Sequence, residues 1–301
     1  MKVAVLSGGI GGAKFVRALA ETLGGANVTA IVNVGDDLEV LGMHVSPDLD
    51  SVLYSLAGIA DEQRGWGRAD ETWRALETVT ALGGESWFAL GDRDLGAHLV
   101  RTQALRSGEP LSAVTARMAR VLGVEARLLP ATDDKLRTFV VTPAGTFSFQ
   151  EWFVRRGHRD DVDAVDVRDE ARSAPGVSDA LAAADLLLIG PSNPYVSIGP
   201  ILAVQGIRES LGQRRVPCVA VSPLVGGRAV KGPADRMLAR LAGGTMPAHV
   251  ASCYAGLIDA LVYDESDDPA GLDVQPIATR TLMTDAESRR RVAEAALAVP
   301  V

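Results

Sequence analysis

The run KVAVLSGGIGGAKFVRALAETLGGANVTAIVNV, residues 2–34, decides the fold. Residues 2–7 are a short apolar run that stops at glycine, which is the length and punctuation of a buried strand. Residues 13–23 then place Phe15, Leu19 and Leu23 on one helical face. Residues 28–34 form a second, β-branched run. Strand, glycine turn, helix, strand is a βαβ unit, and it predicts an α/β fold with a parallel sheet.

The same pattern returns late in the chain. ADLLLIG (184–190), VPCVAVS (216–222) and DALVYDE (259–265) read as buried strands, with helical segments at 206–213, 234–243 and 247–257. A final helix is expected from Thr284-Asp285, with the aspartate as cap. The middle differs. Residues 70–82, 92–107 and 111–122 read as successive amphipathic helices, followed by short strands near 126–129, 137–142 and 146–150 and a turn at 143–146. Residues 1–49 and 176–301 are therefore expected to form a Rossmann-like core, and 50–175 an inserted helical and small-sheet region.

Composition narrows the function. The 301 residues carry a net charge of −8, which argues against nucleic-acid or anionic-membrane partners. No apolar stretch reaches eighteen residues, so no transmembrane helix is expected. Cys218 and Cys253 stand in no metal-type spacing and fit a reducing cytoplasm. Of thirty basic residues only Lys2, Lys14, Lys135 and Lys231 are lysines, and Lys14 and Lys231 adjoin glycine-rich sequence, where a compact ammonium can approach phosphate.

The loop GGIGGAK (8–14) opens the first helix, whose N-terminal N–H groups suit an anion. Gly9 and Gly11 match the first two glycines of a dinucleotide fingerprint, but Lys14 stands at the third, and the spacing is not that of a Walker A loop. The reading is phosphate contact through Gly9, Gly11, Gly12 and Lys14, with a tight packing turn as the alternative. After the second strand, NVGDDLEVLGMHVSPDLDS (33–51) places Asp36, Asp37, Asp48 and Asp50 at a strand's carboxyl end, where open parallel sheets bind ligands. Hard cations such as Mg²⁺ take one or two carboxylates plus substrate phosphates and water. Asp36 and Asp50 are the expected metal ligands, and Asp37 or Asp48 the substrate-binding group or base; two capped turns are the plain alternative.

GPSNPYVSIGP (190–200) and VSPLVGGRAVKG (221–232) end two later strands. Ser192, Asn193, Ser197, Ser222 and Lys231 there can read a base, a ribose or a phosphate. The middle region holds Trp66, Trp73, Trp87 and Trp152, which either pack a core or wall a planar ligand. Asp92 or Asp94 can cap the helix at GDRD, and His98 lies one turn inside it as a packed or donor histidine.

Taken together, GGIGGAKF, NVGDDLEVLGMHVSPDLDS, GWGRADETW, WFALGDRDLGAHLVRT, PATDD (130–134), QEWFVR, GPSNPYVSIGPIL and LMTD (282–285) closely resemble the 2-phospho-L-lactate transferase family, also called CofD-like or FbiA-like. The resemblance covers nearly the whole chain in order. It implies a Mg²⁺-dependent enzyme of coenzyme F420 biosynthesis, often a homodimer. The implied acceptor is the deazaflavin Fo, and the implied donor a guanosine diphosphate ester of 2-phospholactate or phosphoenolpyruvate. GMP would leave, giving F420-0 or its dehydro form. Under this resemblance Asp36 and Asp50 bind the metal, Asp37 or Asp48 orients the attacking hydroxyl, and the glycine loop with Lys14 neutralises the diphosphate. The loops at 192–197 and 222–231 hold guanosine, and Trp87, Asp92, His98 and Trp152 form the deazaflavin wall. A related branch that binds UDP-sugars as a regulator is the alternative, but is expected to lack NVGDD…PDLD and WFALGDRD. A dinucleotide-dependent oxidoreductase is disfavoured by the missing third glycine, although Asp36 can imitate its ribose-binding acid.

Overall fold

The computed structural model describes residues 1–299. Seven strands form one sheet in the order Gln275–Thr279, Ala260–Asp264, Cys218–Val221, Leu186–Ile189, Val3–Ser7, Val28–Val32, Arg127–Pro130. Every neighbouring pair is parallel. The central five strands are continuous apolar runs because helices cover the sheet, and Val3–Ser7, Leu186–Ile189 and Cys218–Val221 are buried throughout. From Val3–Ser7 the chain builds outward one way through Val28–Val32. From Leu186–Ile189 it builds the other way. The reversal lies between these two central strands, and a crevice forms beyond their carboxyl ends.

The first helix, Gly9–Leu23, begins inside the glycine loop and packs against helix Pro47–Leu56 and the last helix, Ala286–Leu297. Asp285 caps that last helix as expected, accepting the Ser288 N–H at 2.8 Å. A three-stranded antiparallel sheet joins Gly145–Ser148, Arg137–Thr142 and Ala164–Arg168. Its own core contains Val140, Phe149, Trp152, Val162, Val196 and Met237.

Parts of the middle region, expected as an insert, join the main sheet and core. The strand expected with the small sheet near 126–129 is the edge strand of the main sheet, paired with Val28–Val32. Val52, Leu53, Tyr54, Leu111 and Leu128 belong to the main core. Residues 155–175 contribute the strand Ala164–Arg168 to the small sheet. That sheet leans on the acidic loop through the Thr138 N–H, which donates to the Gly35 carbonyl at 2.6 Å.

Candidate active site

Asn33 follows the second strand and is fully buried. Its Nδ2 donates to Asp36 Oδ1 at 2.9 Å, Asp48 Oδ2 at 3.0 Å and, more weakly, the Val196 carbonyl at 3.3 Å. Its Oδ1 accepts the Gly35 N–H at 2.8 Å. One amide with two hydrogens thus bridges two carboxylates from different elements. Asp36 sits in the loop, and its other oxygen accepts from Gln150 Nε2 at 2.9 Å. Asp48 lies in the first turn of Pro47–Leu56 and accepts the Gly9 N–H at 2.6 Å. That bond places a carboxylate at the N-terminus of the first helix, where the helix dipole favours negative charge.

Asp37 stands between two charge clusters. Its Oδ2 accepts from Ser46 Oγ at 2.7 Å and lies 3.0 Å from His44 Nε2, while its Oδ1 is buried without a partner among the described residues. Its charge raises the carboxyls of Asp36 and Asp48, and it also feels Arg101. Burial and the charges of Asp48 and Asp37 push Asp36 well above the usual carboxylate range. Burial pushes Asp48 up to about 6, against hydrogen bonds from Asn33 and Gly9. Burial raises Asp37 too, against hydrogen bonding and charge from His44.

Asp50 is elsewhere. Arg101, buried on helix Asp92–Arg106, holds both its oxygens: Nη1 bonds Oδ2 at 3.0 Å and Nη2 bonds Oδ1. Of the expected metal ligands, Asp50 is thus engaged by Arg101 and Asp36 by Asn33 and Gln150. Among the described residues no three His, Cys, Asp or Glu side chains converge to hold a metal ion.

The groups expected to touch a donor mostly hold the loops together. Ser192 Oγ donates to the Gly8 carbonyl at 2.7 Å and accepts the Gly8 N–H at 3.1 Å. A Cβ on Gly12 would stand 2.4 Å from Ser7 Oγ and 2.6 Å from Ser192 Oγ, and one on Gly11 would stand 2.6 Å from the Pro191 carbonyl oxygen. These glycines let the helix and the Pro191 loop meet backbone to backbone. Asn193 Oδ1 accepts from the Tyr195 N–H at 2.9 Å, Ser222 Oγ accepts from the Leu224 N–H at 3.2 Å, and Ser197 is buried against Gly8. Lys14 and Lys231 are brought near one another, but along the flank of the first helix; Lys14 Nζ donates to the Met283 carbonyl at 2.9 Å.

Three of the four residues expected to wall a deazaflavin have internal duties. Trp152 is fully buried and donates from Nε1 to the Asp160 carbonyl at 3.2 Å. Asp92 accepts the Ala75 and Arg74 N–H groups at 3.0 and 3.2 Å, capping helix Arg74–Ala81. His98 is buried, with Nδ1 3.3 Å from Arg101 Nη1 and Nε2 3.7 Å from Asp94. Trp87 stays partly exposed, edge-on to Phe88. Sequence reasoning gave no role to Asn33, Gln150 or Arg101. Their only signals were a polar residue ending an apolar strand, a glutamine opening QEWF, and an arginine one helical turn after His98.

A doubly wound parallel sheet with buried carboxylates at its switch point is the frame of a phosphate-handling α/β enzyme. The family model for 2-phospho-L-lactate transferase CofD matches residues 3–294, and this chain belongs to that family. It is a transferase of the phosphoenolpyruvate or phospholactate type, acting in F420 biosynthesis. It is 42% identical to a phosphoenolpyruvate transferase of Streptomyces griseus, over 99% of this chain and 98% of that one. It is 43% identical to that of Streptomyces coelicolor, over 99% and 97%. It is 42% identical to that of Thermobifida fusca, again over 99% and 97%. A crystal structure of a UPF0052-family protein from Bacillus halodurans shares the fold, with a TM-score of 0.66 at 19% identity over 98% of each chain. No helix among the described residues is long and apolar enough to cross a membrane.

Proposed function

We propose that the protein transfers a phosphoenolpyruvyl or 2-phospholactyl group from its guanosine diphosphate ester to the terminal ribityl hydroxyl of Fo. The hydroxyl oxygen bonds to the phosphorus bearing the three-carbon acid, the bond from that phosphorus to the bridging oxygen breaks, and GMP leaves. The product is F420-0 or its dehydro form. The observation that carries this reading is the carboxylate cluster around Asn33 at the switch point of a chain of this family. The phosphoenolpyruvate names of the relatives favour that acid over phospholactate.

Phosphoryl-group transfer depends on positioning and charge neutralisation more than on covalent help. Asp48, fixed by Gly9 and Asn33 with its carboxyl at about 6, is ionised at neutral pH and suited to take the hydroxyl proton. The residues fit a hard cation. Their donors are all oxygens, Asp37 Oδ1 is buried without a partner, and the Asp36 and Asp48 carboxyls are both raised, as in a carboxylate cluster short of positive charge. Asp37 and Asp36 would hold Mg²⁺, and Asp50 would join them only by giving up Arg101. Bound there, Mg²⁺ would neutralise phosphate charge. Gln150 and Asn33 keep Asp36 oriented from two elements. Homodimer formation and a cytoplasmic location belong to the same proposal.

The test is a mass-resolved assay with protein, Mg²⁺, Fo and a panel of guanosine diphosphate esters. GMP and a phosphorylated deazaflavin formed from one ester would name the donor. A folded protein that gives no product with any ester would sink the proposal and leave the nucleotide-sugar-binding alternative.

A further inference from the structure

Helix Arg74–Ala81 contains no buried residue. Ala75, Leu76 and Val79 are half-buried, and residues 80–85 are exposed throughout. An element with so little buried apolar surface opens at low free energy. Its base, by contrast, is fixed. Glu71 accepts the Arg93 and Asp94 N–H groups at 2.8 and 2.9 Å and so caps helix Asp92–Arg106. Asp92 caps helix Arg74–Ala81 in return, and its own N–H donates to the Thr72 carbonyl at 2.9 Å. Two helix starts are thus clasped by exchanged carboxylates, and the chain between them leaves and returns at one place. Leu90, buried with Val40, Met43 and Val45, closes that base.

Beyond the helix, Gly83 takes the left-handed conformation, φ 81°, that stops it and turns the chain back. At this turn Glu85 lies 3.8 Å from Arg155, and both side chains are more than half exposed. An exposed pair of this length is worth little and breaks easily. Arg155 ends the five-residue helix Glu151–Arg155, which directly follows Gln150, the residue that holds Asp36. The segment is therefore rooted on the helix whose Arg101 holds Asp50, and its tip reaches the segment that holds Asp36.

We propose that residues 76–87 form a flap across the mouth of the crevice, clasped at its base and released at the Glu85–Arg155 contact, which opens to admit substrates and closes to keep water from the reacting phosphorus. The inference rests on the transfer reading for the reaction that the flap protects. Water competes with the ribityl hydroxyl. If a water oxygen bonds to that phosphorus, the bond to the bridging oxygen breaks, GMP leaves, and the free phospho acid forms in place of the deazaflavin product. A segment closed over the reactants suppresses that loss.

Hydrogen exchange of the whole chain, read by mass spectrometry, tests the flap apart from the chemistry. In the free protein the amides of residues 76–86 should exchange roughly tenfold or more faster than those of the first helix, and Fo with GDP and Mg²⁺ should slow them. Glu85→Lys, which sets two like charges together, should speed their exchange in the free protein without moving the melting temperature, and adding Arg155→Glu should restore the wild-type rate. With the phosphoenolpyruvate ester of guanosine diphosphate, Glu85→Lys should release roughly threefold more GMP per phosphorylated deazaflavin than wild type does, and the double variant should return to the wild-type ratio. The proposal is overturned if the flap exchanges as slowly as the first helix, if Glu85→Lys leaves its exchange unchanged, or if that variant keeps the wild-type product ratio. Exchange slowed by Fo and GDP, with no product from any ester, would remove the transfer reading and keep the flap.

Discussion

Asp48 accepts two hydrogen bonds, from Gly9 N–H and Asn33 Nδ2, and still has its carboxyl pushed up to about 6 by burial. A folded carboxyl raised above its unfolded value of 3.8 binds more protons than the unfolded chain between those two values. Its cost is absent below about pH 3.8, grows as pH rises and is complete above about 6. Asp48→Asn should therefore stabilise the protein at pH 7.5 by up to roughly 3 kcal/mol, less what the amide loses by offering one acceptor oxygen for two donors. Urea unfolding at pH 7.5 and pH 4 measures this, and the gain should be gone at pH 4. Arg101 works in the opposite sense. Arg101→Ala leaves Asp50 buried and uncompensated, so about 3–5 kcal/mol should be lost, whereas Arg101→Met combined with Asp50→Leu should recover most of it. A double variant no more stable than Arg101→Ala would show that the pair itself, and not the stranded charge, sets the cost. That Asp36, Asp37 and Asp48 gather beyond the second strand was legible from their place in the sequence. That Asp50 faces Arg101 was not, because a helix 51 residues away supplies the partner.

The first helix and the Pro191 loop show why the glycine motif read ambiguously. GGIGGAK has the composition of a phosphate loop, and its anion-favouring N-terminus is there, but Asp48 of the neighbouring helix takes the Gly9 N–H. Gly12→Ala should cost about 1–3 kcal/mol, the range for overpacking, because its Cβ would meet Ser7 Oγ and Ser192 Oγ. Thermal denaturation of this variant checks it, and an unchanged melting temperature would mean that the two elements separate easily. Long apolar strands such as Leu186–Ile189 were readable because both faces are covered. The edge strands Arg127–Pro130 and Gln275–Thr279 were not placed in the sheet from the sequence. Gln275–Thr279 is largely exposed, and the pairing of parallel strands depends on crossovers that local pattern does not record, even for Arg127–Pro130, which is buried except at Arg127.

Across the whole molecule, the segment after the small sheet's strand Gly145–Ser148, the loop after the main sheet's strand Val28–Val32 and helix Pro47–Leu56 each deliver one part of the site: Gln150, Asn33 with Asp36, and Asp48. This is why the middle region reads as an insert in sequence yet shares the main core in space. A cation bound among these carboxylates needs them ionised. Mg²⁺ without nucleotide should therefore raise the melting temperature more at pH 7.5 than at pH 5.5, where Asp48, with its carboxyl at about 6, is largely protonated. At a hundredfold excess over Kd the stabilisation should be about 2.7 kcal/mol. An equal shift at both pH values would place the cation away from this cluster.

The central claim is that the cluster around Asn33 carries the transfer, and single-turnover transfer by wild type and Asp48→Asn tests it most directly. With Mg²⁺, Fo and the phosphoenolpyruvate ester of guanosine diphosphate, wild type should form GMP and phosphorylated deazaflavin in equal amounts. The folded variant should bind the donor but transfer at least roughly a hundredfold more slowly, the usual loss for a general base. Transfer by Asp48→Asn at the wild-type rate would contradict the account.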